Sequence, residues 1–160
     1  MSLTAERSKS LRLIDSHCHF DLPELAQAQD RLWREAQQVG VAALVIPAVS
    51  ATAWPNLLKL HAEQPAWHIA LGIHPWWAAE HTLLDVAQLD QLIRQQADKV
   101  CAVGEIGLDF ALAENTFATQ QQLFESQLAV AKKHAKPVIL HHRKSQPQLL
   151  AELKRQQFDE

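Results

Sequence analysis

The chain has 160 residues, 48% hydrophobic and 21% charged, a balance expected of one soluble globular domain with a sizeable core. Its formal net charge of −3 excludes the broad basic surface that holds nucleic acid by charge alone. It leaves a nuclease open, because bound divalent ions would reverse the local field. The two cysteines, Cys18 and Cys101, form no C-x-x-C pair and read as small buried hydrophobes in strands. No targeting segment is visible, and the longest apolar run, Val41 to Val49, is too short to span a bilayer. A reducing, cytoplasmic setting with no membrane partner is the expectation.

The first expected strand, Leu11–Ser16, runs into Asp15-Ser16-His17-Cys18-His19. Strand alternation would turn Asp15, His17 and His19 to one face, the beginning of a metal site. A lone H-x-H pair also occurs incidentally. Asp15 either orients one imidazole or simply faces the loop. Leu25, Ala28, Leu32, Ala36 and Val39 then step at helical spacing until Gly40 ends the helix.

The second strand, Val41–Ala48, is apolar throughout, as when both faces of a parallel strand are covered. The third, Trp67–Ile73, leads into His74-Pro75, where His74 either meets substrate or is satisfied within a rigid turn. Trp76 and Trp77 follow as an apolar lid over the rim, with base stacking as the alternative. Val86, Leu89, Ile93 and Ala97 mark another helix face.

The fourth strand, Val100–Ile106, carries Glu105 between Gly104 and Gly107. A carboxylate in an apolar strand is costly unless paired or metal-bound, and the glycines allow close backbone approach. Asp109 is either functional or a turn cap. Phe117, Phe124, Leu128, Ala131 and Ala135 line the next helix, with Asn115 or Thr116 as its cap. The fifth strand, Pro137–His141, ends in an imidazole with Arg143 two residues on, a pairing suited to an anionic substrate. His142 should point away, Ser145 with Pro147 opens a further helix, and His61, His81 and His134 are expected to be solvated.

Strand starts about every 30 residues describe a βα array with a parallel sheet. An open doubly wound sheet would be favoured by Gly-x-Gly-x-x-Gly after the first strand, which is absent. Ionisable residues instead follow four of the five strands at their C-terminal ends, the active rim of a (β/α)8 TIM-type barrel. Such a barrel normally needs roughly 250 residues, so this chain would supply about five βα units of it.

Three motifs resemble the TatD family of metal-dependent deoxyribonucleases: Asp15-Ser16-His17-Cys18-His19-Phe20-Asp21, Val103-Gly104-Glu105-Ile106-Gly107-Leu108-Asp109 and Pro137-Val138-Ile139-Leu140-His141-His142-Arg143. Gly72-Ile73-His74-Pro75 and the helix with Gln121, Phe124, Gln127, Leu128 and Ala131 are similar to that family too. The resemblance implies an amidohydrolase-type barrel with two divalent ions, magnesium, manganese or zinc. His17 and His19 would hold one ion, Glu105 would bridge both, and His141 would hold the second. His74 and Arg143 would lie near the phosphate of DNA or another phosphate ester, cleaved by a water activated between the metals.

The family pattern also includes a later His ligand and a metal-binding Asp that acts as general base. Here no histidine follows His142 and the only later aspartate is Asp159. The expectation is therefore one TatD-like domain over 1–160, C-terminally truncated, with weak or no hydrolysis by itself. Two other readings stand beside it: an amidohydrolase acting on amides or esters, and a non-catalytic metal-binding scaffold. An unrelated open α/β domain would have no metal affinity at all.

Overall fold

A computed structural model describes residues 12–158. Five parallel strands, β1 (Leu13–Asp15), β2 (Val41–Pro47), β3 (Trp67–Leu71), β4 (Val100–Asp109) and β5 (Val138–Arg143), pair in sequence order. Helices α1 (Gln29–Gln38), α2 (Trp54–Glu63), α3 (Leu83–Gln95) and α4 (Phe117–Lys133) connect them, and α5 (Gln146–Arg155) follows. The result is a curled half-barrel of the TIM type, as the strand spacing and rim residues implied.

The core lies between the sheet and its helices. Trp54, Leu57, Ile69, Leu89, Ile106 and Leu128 are fully buried there, so the apolar runs of the inner strands and one stripe of each helix meet. Gly40 closes α1 with a φ of 99°, a conformation glycine adopts without steric cost. Helix α2 adds Trp54, whose indole N–H donates to the Gly72 carbonyl at 3.1 Å.

Several local expectations need correction. The strand expected over Leu11–Ser16 is only three residues long, and Leu11 lies outside the described residues, as does Asp159. It stops because the Asp15 carboxylate accepts the His17 backbone N–H at 3.1 Å and turns the chain. Cys18 therefore sits in a loop, while Cys101 is in β4 as expected. Strand β4 runs on to Asp109, because its last residues pair with β5 as far as Arg143. Thr116 precedes α4, but its hydroxyl donates to the Ala113 carbonyl instead of capping the helix. Ser145 precedes α5 and likewise donates elsewhere, to the Leu108 carbonyl at 2.7 Å.

Candidate metal centre

The β4–β5 register shifts between Val103 and Ile106, so β4 carries one extra residue around Glu105. Such a bulge re-aims a side chain at a sheet rim. The backbone N–H of Glu105 is held by the Ala48 carbonyl beyond β2, at 2.9 Å. Gly107 makes the neighbouring strand approach possible: its φ is 145°, and a Cβ there would overlap the His141 carbonyl oxygen.

Glu105 is the hub of the rim. Its Oε2 lies 3.1 Å from His17 Nε2 and 3.4 Å from His19 Nε2. Its Oε1 lies 3.3 Å from His141 Nδ1 and 3.6 Å from His74 Nε2. His17, His19 and Glu105 form one group with metal-ligand spacing, and His74, Glu105 and His141 form another. The structure thus brings four of the anticipated residues onto one carboxylate. It does so without strand alternation, since His17 and His19 lie beyond β1 and converge through the turn, their Nε2 atoms 3.3 Å apart. Asp15 is spent on that turn.

Burial pushes the Glu105 carboxyl up, but hydrogen bonds from His141 and His19 and the nearby His74 and His17 outweigh it, holding it well below the usual carboxylate range. His19 and His141 are both raised, chiefly by their hydrogen bonds to Glu105, against burial. His74 moves the other way, to about 4, because burial and the neighbouring His141 disfavour its charged form. Its Nδ1 accepts the Trp76 backbone N–H at 3.1 Å, so the proton of the neutral ring sits on Nε2, facing the site.

The donor chemistry fits a divalent cation. Glu105 is buried, and among the described residues its ion-pair partners are all imidazoles, with no lysine or arginine among them. A desolvated carboxylate favours nearby positive charge, and neutral imidazoles with carboxylate oxygens are ligands such an ion accepts.

The cavity at the rim, about 420 Å³, is lined by these residues together with Leu22, Val49, Trp76 and Trp77. The two tryptophans flank it as an apolar wall, 58% and 39% exposed. Arg143 stands at the end of β5 with its guanidinium 3.9 Å from Asp109. His142 is exposed on that edge strand.

The expectation that three further histidines are simply solvated is corrected. His81 is buried, with Nδ1 2.9 Å from the Trp77 carbonyl and Nε2 accepting the Ala51 N–H at 3.2 Å, which ties the tryptophan loop to the end of β2. His134 pairs with Asp90 at 2.6 Å, and His61 meets the Trp67 carbonyl at 2.9 Å. Each found a polar partner that helical periodicity does not reveal.

Of two supporting residues, Gln120 escaped the sequence reading and Gln127 entered it only within the helix similar to the TatD family. Gln127 accepts the Ile73 N–H at 2.7 Å and donates to the Ile73 carbonyl at 3.3 Å, fixing the backbone just before His74. One heptad earlier on α4, Gln120 does the same for Asp109, at 2.8 and 3.1 Å. Both glutamines are buried, and the available signal was an amide recurring on an otherwise apolar helix face.

Parallel βα order and a His/Glu cluster on the C-terminal rim define a half-barrel with a candidate metal centre. Residues 14–160 match the family described as TatD related DNase, and the chain belongs to that family. It is 38% identical over 144 residues to the metal-dependent hydrolase YjjV of Escherichia coli, covering 90% of this chain and 56% of that protein. A protein of Edwardsiella piscicida named 3'-5' ssDNA/RNA exonuclease TatD is 38% identical over 121 residues, 74% of this chain and 45% of its own length. The crystal structure of YjjV matches with a TM-score of 0.84 at 38% identity, over 90% of this chain and 56% of that one. A TatD family hydrolase of Entamoeba histolytica shares the fold at a TM-score of 0.77 and 20% identity, over 95% of this chain and 56% of that one. The chain spans about half the length of the curated relatives it matches. No helix among the described residues is long and apolar enough to cross a membrane.

Proposed function

We propose that this chain carries one wall of a two-metal centre for phosphodiester hydrolysis, with DNA as the substrate class, within a single TatD-like domain. The observation that supports it best is the division of labour at Glu105, whose two oxygens address two separate sets of imidazoles. His17, His19 and Glu105 would hold one ion, and Glu105 with His141 a second, of magnesium, manganese or zinc. Divalent ions bound there supply Lewis acidity and make water a nucleophile near neutral pH.

The chain's own groups do the positioning. The histidines around Glu105 hold its carboxyl below the usual carboxylate range, which favours the anionic form a ligand needs. His74 belongs to the second cluster by distance, but its tautomer aims an N–H at the site, so it binds a substrate oxygen as a donor. Being neutral, it does this without adding charge that would repel a metal. Arg143, its side chain 56% exposed, can fork onto phosphate oxygens at the rim. The chain offers four ligands, and the family pattern includes a further His and Asp. Hydrolysis by these 160 residues is therefore expected to be slow or absent.

A panel of single-stranded DNA, ester and amide substrates with manganese tests the reading. Slow turnover confined to DNA, and lost in Glu105→Ala, is the expected result. Turnover of amides or esters alone would overturn the nuclease assignment. Rapid DNA hydrolysis by the 160-residue chain would overturn the expectation of weak activity.

A further inference from the structure

We infer that Asp109, held by the Trp76 indole, is a positioning residue that presents His141 Nδ1 to the Glu105 side of the site. This rests on the metal reading above. The His141 ring stands between two carboxylates, with Nδ1 3.3 Å from Glu105 Oε1 and Nε2 3.2 Å from Asp109 Oδ2. A ring that donates its Nε2 proton to Asp109 leaves the Nδ1 lone pair free for an ion.

Asp109 is built to be a fixed acceptor. It is fully buried, and its backbone is clamped on both sides by Gln120. Oδ1 accepts the Ala111 N–H at 2.9 Å, and Oδ2 accepts the Trp76 indole N–H at 2.7 Å. Burial alone would raise this carboxyl, yet Trp76, Ala111, His141 and Arg143 hold it below its ordinary range.

The plainer role, closing the 109–111 turn, uses only Oδ1. It leaves Oδ2, the indole and the imidazole unexplained. The rings of His74 and Trp76 pack around His141 with centroids 4.2 and 6.3 Å away, so its rotation is restricted as well as its tautomer.

Two variants of the full 160-residue chain test this, titrated with zinc alone by calorimetry and followed by NMR of the histidine ring nitrogens. Asp109→Asn offers a single side-chain acceptor oxygen, which cannot serve both Ala111 and the Trp76–His141 pair. Trp76→Phe keeps a ring and the carboxylate but removes the indole donor. In the zinc-loaded wild type, His141 Nε2 should carry an exchange-protected proton. Asp109→Asn should lose that protection and weaken zinc binding by roughly 10- to 100-fold, the range for a residue supporting a metal ligand. Trp76→Phe should shift both readouts in the same direction by less.

Variants that lower only the unfolding midpoint, keeping zinc affinity and the protected proton, would overturn the proposal in favour of a structural role. If Asp109→Asn does not fold, Trp76→Phe decides by the same criteria. A wild type that binds no zinc contradicts the metal reading instead. Positioning is then judged on the metal-free chain, where an unprotected His141 Nε2 proton would refute it.

Discussion

Strands β1 and β4 both deliver residues to the rim, by opposite means. Strand β4 has ten residues, nearly all buried, and α4 braces its end at Asp109 and the chain at Ile73, just before His74. Strand β1 has three exposed residues, and its two histidines, with side chains 40% and 31% exposed, are gathered by a turn and by Glu105 itself. The buried carboxylate sits on the well-buried strand. Two of the imidazoles that meet it lie beyond an exposed edge strand.

The contrast puts the largest loss at β4. Gly107→Ala places a methyl on the His141 carbonyl at a φ of 145°, so β4 and β5 must separate. We expect a loss of about 3 kcal/mol or more in denaturant unfolding, since the site combines steric overlap with backbone strain. Next is Gln127→Leu, which strands the N–H and carbonyl of Ile73 in the core. About 2 kcal/mol should be lost, the cost of leaving buried polar groups unpaired, and His74 should lose its fixed tautomer in NMR.

The pH dependence of the metal-free chain sharpens the comparison further. His74 titrates at about 4 in the fold against an ordinary 6.5, so between these values the unfolded chain binds the extra proton and stability rises with pH. His19 and His141 are raised, so their contribution is complete below about 6.5 and is lost as pH climbs through their folded values. The rim should therefore be most stabilising near pH 6.5. A stability curve still rising well above that pH would contradict the assigned environments. The smallest effect belongs to β1: Ile14→Ala, at a position 66% exposed, should change stability by less than about 0.5 kcal/mol.

Much of the site was legible in the chain. Apolar runs without alternation gave away buried parallel strands, and ionisable residues after four of the five runs marked the rim. Glu105 stood out because an isolated carboxylate in an apolar strand demands a reason. What spacing could not show was non-local partnership. Asp109 reads equally well as a turn cap until Trp76 arrives from 33 residues away. Gln120 and Gln127 look like ordinary helix residues until strand ends present unpaired N–H and carbonyl groups to them. His81 likewise needs Ser50 and Ala51 in place before its burial makes sense. Even the H-x-H motif converged for a different reason than strand alternation, because Asp15 was taken up by the turn.

In the proposed function Glu105 organises a divalent-metal site with imidazoles of β5 and of the loop after β1, while His74 of the loop after β3 stands beside it as a donor. Calorimetric titration of the 160-residue chain with manganese, beside Glu105→Gln, tests it most directly. Saturable binding to the wild type is expected, with at least a 100-fold loss in the variant, which removes a proposed ligand and not merely its support. Equal affinity in both, or no binding to a folded wild type, would contradict it.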